Sequence, residues 1–381
     1  MSRRAVLLAG LAITVFASQA IWITFSPVGS LVAGELGVSK ERIGLLAITY
    51  PVFFLLLTIP SGLLLDRSFK RWLSLGVYLT VLGGVLRLAS PGNYYWLLFC
   101  QLLGALGQPF LLNSFAPFAS RVYPERRETV VSLLSFSMYL GIIYGLGSGY
   151  WLYTRYGVYM LLAPLALVSL LGGMLFAYGA WGYGFPSVAA GESVRGELKR
   201  VAGYKELWLL GIVLGLGVAL FDNMSIWLES ALATVDLGDI AGLSVALSLL
   251  LGLVGVAFIP TPVARRSKRT LYIRVVTLAG ILIYYSLALY TARYTVLTLI
   301  PLLGLLMLPA YPIIMEWIST FYPREVHGSA SGFIGFVSRI FTVVLASTAV
   351  FFIGSPRSYF GFLGTLAVVA LLVALLLPGD K

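Results

Sequence analysis

The chain has 381 residues, 59% of them hydrophobic and only 11% charged, with a mean hydropathy of +0.95. Soluble domains carry about 25% charged residues, so these numbers exclude a soluble fold and place the chain in a bilayer. The net charge of +11 does not signal a nucleic-acid partner, because Lys and Arg sit in short gaps between apolar runs rather than in a basic stripe with interleaved aromatics.

A helix needs about 20 apolar residues to cross the hydrocarbon core, and the apolar runs are too long and continuous to be barrel strands. In chain order they predict six spans at 6–33, 42–65, 72–90, 94–122, 128–152 and 157–181, then six at 206–233, 240–262, 271–291, 294–320, 327–353 and 357–377. The first follows Ser2-Arg3-Arg4 and is too long for a signal-peptide core, so it is expected to be a retained span. On it Gln19, Trp22 and Ser26 fall at i, i+3 and i+7, one helical face, and suggest the stacking wall of a binding site. Arg87 lies near the end of the third span and is expected to snorkel. On the fourth, Gln101 and Gln108 share a face that Asn113 extends, with Pro109 and Pro117 as kink points. Gly141, Gly145 and Gly149 on the fifth span give small-residue steps that permit close helix approach and a surface over which two halves could rock.

Residues 182–205 form the longest polar stretch, with a charged helical piece around Glu197-Leu198-Lys199-Arg200. The seventh span carries Asp222 near its middle and Glu229 toward its far end, where snorkelling is expected. The tenth carries Pro301, Pro309, Pro312 and Glu316, and the eleventh carries Gly328, Gly332, Gly335 and Arg339. A charge near the bilayer centre costs about 3 kcal/mol and usually faces a partner or a cavity. Asp222 and Arg339 lie at matching depths, so they are expected to pair or to flank a cavity together. Arg339 would hold an anionic group and Asp222 would protonate, with Glu316 as a second coupling or gate carboxylate.

The sequence repeats itself at an offset of about 200 residues. Ile59-Pro60-Ser61 matches Ile259-Pro260-Thr261, and Tyr123-Pro124-Glu125-Arg126 matches Tyr322-Pro323-Arg324-Glu325. Two parallel halves joined by a linker place a substrate site near the midplane. The expected domains are therefore a bundle at 1–181, a cytoplasmic linker at 182–205 and a bundle at 206–381. Positive charge gathers at Arg3-Arg4, Arg67 to Arg71, Arg121 to Arg127, Arg195 to Lys205, Arg265 to Arg274 and Arg324. The opposite gaps hold only Lys40, Arg42, Arg155, Arg293 and Arg357. By the positive-inside rule both termini are expected in the cytoplasm of a multi-pass cell-membrane protein.

Gly62-Leu63-Leu64-Leu65-Asp66-Arg67-Ser68-Phe69-Lys70-Arg71 resembles the signature of the major facilitator superfamily, departing from it at Phe69, where that family usually has glycine. The resemblance covers essentially the whole chain. It implies an all-α membrane protein of twelve transmembrane helices in two pseudo-symmetric six-helix bundles. It also implies that Gly62, Asp66, Arg67, Lys70 and Arg71 form a gate latch. Gln19 to Ser26 and Ser329 to Phe341 resemble spans one and eleven of the feline leukaemia virus subgroup C receptor-related family, which carries choline, haem-related or vitamin-like solutes. That family's choline carriers have glutamine where this chain has Arg339, and an arginine repels a quaternary ammonium group.

Cys100 and His327, the only residues of their types, cannot build a disulfide framework or a Cys/His metal cluster. No nucleotide loop and no His-Glu-x-x-His motif occur, which argues against an ATP-driven pump or an intramembrane enzyme. The expected function is secondary active transport of a small organic anion, zwitterion or vitamin-like solute by rocker-switch alternating access, with protons as coupling ion through Asp222. The alternative is a facilitated uniporter or an exporter of amphipathic or cationic compounds, choline-like or drug-like. The substrate-binding candidates are Gln19, Trp22, Ser26, Gln108, Asn113, Asp222 and Arg339. No cofactor is expected, the partners are the solute and the lipid bilayer, and the chain is expected to be a monomer.

Overall fold

The structure, a computed structural model, describes residues 2–186, 201–322 and 327–379. The charged piece expected around Glu197 and most of the 323–326 turn lie outside them. The described chain forms two compact units, Met1–Ala190 and Gly191–Lys381. The first contains α1 (Arg3–Ile23), α2 (Gly29–Leu36), α3 (Lys40–Arg67), α4 (Phe69–Leu86), α5 (Tyr94–Leu112), α6 (Phe115–Val122) and α7 (Arg127–Ala180). The second contains α8 (Lys205–Leu232), α9 (Ala241–Phe258), α10 (Pro260–Arg265), α11 (Arg269–Leu289), α12 (Arg293–Met307), α13 (Ala310–Phe321), α14 (His327–Ala349) and α15 (Pro356–Leu375).

Eleven helical stretches are long and apolar enough to cross a membrane, and one of them, Thr129–Ala180, is 52 residues long. Straight, it would measure about 78 Å at 1.5 Å per residue, against a hydrocarbon core of about 30 Å. It is two spans, because Gly157 inside α7 has φ 77° and ψ −176°, a region essentially closed to residues with a Cβ. The count is therefore twelve.

Local chemistry sets the helix ends. The side chains of Ser2, Asn93 and Ser355 accept the N–H groups of Ala5, Trp96 and Ser358, which satisfies donors a helix start leaves open. Prolines set the interruptions. Pro117 and Pro312 have no N–H for the carbonyls of Asn113 and Leu308, and these residues are where α5 and α12 end. The fourth and tenth spans thus break at matching places. Pro27 likewise leaves the Ile23 carbonyl without its helical donor; α1 ends at Ile23, and a 3₁₀ turn runs over Ser26–Val28. The single continuous face expected for Gln19, Trp22 and Ser26 is interrupted there.

The first helix of each unit is the most enclosed. Within the best apolar window of each stretch, 67% of Arg3–Leu36 and 72% of Lys205–Val235 is buried, against 33–56% elsewhere. In the first unit α1 lies backbone-close to α7: a Cβ at Gly10 would come 2.3 Å from the Phe176 nitrogen, and one at Gly141 would come 2.2 Å from the Phe16 carbonyl oxygen. Gly145 faces Ile23 and Gly149 faces Pro27 in the same way. These glycines are therefore spent on packing inside their own unit, which corrects the expectation of a rocking surface. Gly332 and Gly335 differ, since a Cβ there meets no atom within 4 Å.

Candidate functional site

In the second unit, α8 and α14 bring Asp222 and Arg339 together, with Arg339 Nη1 3.5 Å from Asp222 Oδ2. The Asp222 side chain is 5% exposed and that of Arg339 is 29% exposed, so the carboxylate is closed in while the guanidinium keeps an open side. The approach is long for a hydrogen bond, and Oδ2 is buried without one. Asn223 Oδ1 and Ser225 Oγ, also on α8, are buried without hydrogen bonds. Trp227 fixes the same helix pair by donating to the Ala346 carbonyl at 2.8 Å. The arrangement offers a cation that can accept an anionic group and a carboxylate that can be released from it.

In the first unit Trp22 is buried, donates to the Ala47 carbonyl at 2.9 Å and stacks on Tyr50 at 6.3 Å between ring centres. Gln19 Nε2, Ser26 Oγ and Tyr50 Oη are buried without hydrogen-bond partners, and Gln108 is buried on α5. Asn113 is engaged: its amide donates to the Thr58 carbonyl and to Ser61 Oγ, both at 2.8 Å, tying α5 to α3. Polar groups available to a ligand are thus Gln19 and Ser26, whereas Trp22 and Asn113 already hold the bundle together.

Two expectations of snorkelling fail. Arg87 is fully buried, bonded to Gln101, Thr24 and the Gly83 carbonyl. Glu229 is buried as well. Both sit on sides of their helices that face the bundle, which depth along a span does not reveal.

Asp66, Arg67, Lys70 and Arg71 are exposed at the α3–α4 turn. Asp66 is within electrostatic reach of Arg121 of α6, whose guanidinium lies over the Phe69 ring at 4.6 Å. The departure at position 69 thus supplies a face for that arginine. Lys70 donates to the Tyr183 carbonyl at 3.4 Å, and Arg71 lies over Trp72 at 5.6 Å. Gly62 has open space where a Cβ would stand. Glu316 is held by Arg269 through two contacts, Nε to Oε2 and, at 2.7 Å, Nη2 to Oε1, and Thr320 Oγ1 donates to Oε1 at 2.8 Å. No group of three His, Cys, Asp or Glu side chains is suited to hold a metal among the described residues.

The family model described as Major Facilitator Superfamily matches residues 11–346. The chain belongs to that superfamily. Membership makes this major facilitator a membrane transporter and not an enzyme. It is 25% identical over 279 residues to solute carrier family 49 member A3 of Xenopus tropicalis, covering 65% of this chain and 56% of that protein. The match thus spans little more than half the length of that relative, which belongs with the feline leukaemia virus receptor-related group. Among solved structures it is similar to a mutant of the nucleoside transporter NupG, with a TM-score of 0.76, 13% identity and coverage of 97% of this chain and 99% of that one. A bacterial homologue of the human lysosomal transporter Spinster, inward-facing and unoccupied, gives a TM-score of 0.73 at 12% identity over 98% and 95% of the two chains. A D-xylose-proton symporter gives 0.73 at 15% identity over 99% and 98%. At these identities the likeness is one of fold.

Proposed function

We propose that this major facilitator is a secondary active transporter that moves a small organic solute with an anionic or zwitterionic group by rocker-switch alternating access. The observation that supports it best is the Asp222–Arg339 pair, long at 3.5 Å and open on its arginine side. A solute anion that takes Arg339 displaces Asp222, and the released carboxylate then takes up a proton. Binding and protonation become linked because a buried, unpaired carboxylate is costly. The proton-symporter neighbour supports such coupling, with Glu316 as a second candidate carboxylate. Gln19, Ser26, Gln108, Trp22 and Asn113 are the first unit's proposed contributions to solute binding. Asp66 with its basic neighbours is the proposed gate latch. We place both termini in the cytoplasm and the protein in the cell membrane as a monomer, with residues 182–205 as the linker.

The test begins with a thermal-shift screen of organic acids, amino acids, vitamins and quaternary amines, followed by uptake of the hits into proteoliposomes. Asp222→Asn and Arg339→Gln should each abolish uptake of an anionic or zwitterionic hit while the protein stays folded in detergent. Wild-type uptake by both variants would remove the pair from the mechanism.

A further inference from the structure

The break in the first span leaves helix carbonyls exposed inside the first unit. The Ile21 carbonyl meets the Thr24 N–H only at 3.5 Å and also accepts from Thr24 Oγ1 at 3.1 Å. Gln101 Nε2 reaches in from α5 to the same carbonyl at 3.3 Å and to that of Trp22 at 3.1 Å. Behind Gln101 stands Arg87. Its Nη2 donates to Gln101 Oε1 at 2.5 Å, its Nη1 to Thr24 Oγ1 at 3.3 Å and its Nε to the Gly83 carbonyl at 3.1 Å. The guanidinium lies 5.8 Å from the centre of the Phe25 ring.

Arginine cannot shed its charge in a protein, and a buried charge is costly without compensation. Among the described residues Arg87 makes no ion pair. The compensation comes from helix C-termini, which carry about half a negative charge each. Arg87 meets two of them: α4 ends at Leu86, within a turn of Gly83, and α1 ends at Ile23.

The second unit shows what the same architecture does without a break. There α8 runs uninterrupted from Lys205 to Leu232. Two hundred residues after Thr24 stands Met224, and the third span reaches it with a neutral group, Tyr284 Oη 3.7 Å from the sulfur. A half-bundle of this kind therefore closes at that position without a charge. The charge accompanies the break.

In other carriers, unwound backbone carbonyls ligate transported Na+. We propose that Arg87 is a resident cation in place of such an ion. Through Gln101 and Thr24 it fixes the broken segment from Trp22 to Ser26, so that this segment keeps its shape without a dissociable ion. Arg87 is thus a positioning residue for the wall that carries Trp22 and Ser26. The assignment concerns the first unit alone and does not depend on the Asp222–Arg339 reading.

The test uses the full chain in detergent and a cysteine at the broken segment, Ser26→Cys. Ser26 is buried, and the native Cys100 is fully buried and serves as background. N-ethylmaleimide labelling of Ser26→Cys is read by intact mass. Adding Arg87→Met, which keeps bulk and loses charge, should raise the labelling rate by about tenfold or more, given the strength of a partly buried charge at a helix end. Arg87→Lys should restore most of the protection. In Arg87→Ala, millimolar methylguanidinium should slow labelling and raise the thermal midpoint, whereas tetramethylammonium at equal ionic strength should do neither. The wild-type rate should be the same in Na+ and in K+. A side chain that merely fills space would show no ion-specific rescue. An unchanged labelling rate in Arg87→Met overturns the proposal. If Arg87→Met does not fold, the absence of methylguanidinium rescue in Arg87→Ala overturns it, as does a wild-type rate that depends on Na+.

Discussion

Asp222 and Glu316 are both carboxylates beside arginines, and the difference in how they are held separates what each can do. Glu316 meets Arg269 at two points and takes a third bond from Thr320; paired contacts of this kind are directional and strong. Asp222 meets Arg339 at one 3.5 Å approach, and a single long approach is easily exchanged for another anion. Glu316→Gln keeps the shape and removes the charge from a pair whose arginine side chain is only 6% exposed. It should cost about 1–2 kcal/mol, discounted because the glutamate is partly open to solvent. In a unit of this size that is a fall in thermal midpoint of about 3–6 °C. Asp222→Asn should shift the midpoint far less, because it removes a buried charge together with its weak contact. Melting curves of the two variants in one detergent make the comparison, and a Glu316→Gln protein that melts like wild type contradicts it. The Asp222–Arg339 juxtaposition was legible from depth along two spans, because insertion cost forces a mid-span charge to find a partner. The bonding of Arg87 was not. Its partners lie 14 and 63 positions away on other helices, and hydropathy says nothing about which side of a helix faces the bundle. A sequence signal did exist at Pro27, which removes a helical donor from the first span and creates the acceptors that Gln101 reaches.

At the scale of elements, glycines that look alike in sequence do different work. Gly10 of α1 sits against the Phe176 backbone at 2.3 Å, counted from an added Cβ, whereas Gly335 of α14 has nothing within 4 Å. Gly10→Ala must push α1 away from α7, since backbone cannot rotate aside as a side chain can, and should cost about 1–3 kcal/mol. Gly335→Ala should instead gain about 0.5–1 kcal/mol from helix propensity. Denaturant or thermal titration of the two variants gives the sign of each; destabilisation by Gly335→Ala or tolerance of Gly10→Ala would reverse the assignment. The kinks were readable in advance, because proline acts through its missing N–H four residues upstream, at Asn113 and Leu308. The small-residue steps of the fifth span were readable as a close-packing surface. Which helix they pack on was not, since Gly141 and Gly145 could have faced any neighbour and in fact face α1.

For the whole molecule, the span count rests on one residue. If α7 crossed the membrane once, the chain would have eleven spans, and the gaps before and after it would exchange sides. The turn at Gly157, with φ 77° and ψ −176°, keeps twelve and with them the asymmetry of positive charge, which predicts Arg42 and Arg357 outside and Lys205 and Arg266 inside. All four positions are exposed and Cys100 is buried, so single cysteines at these positions report side without removing the native one. A membrane-impermeant maleimide on intact cells should label Arg42→Cys and Arg357→Cys at once, and Lys205→Cys and Arg266→Cys only after permeabilisation. Ten spans separate Arg42 from Arg357, and an even number returns the chain to the same side. Labelling of those two positions from opposite faces would mean nine, and the turn at Gly157 would be the element that fails. Labelling of all four with sides exchanged would keep the twelve spans and the turn, and would overturn only the assignment of the basic face to the cytoplasm.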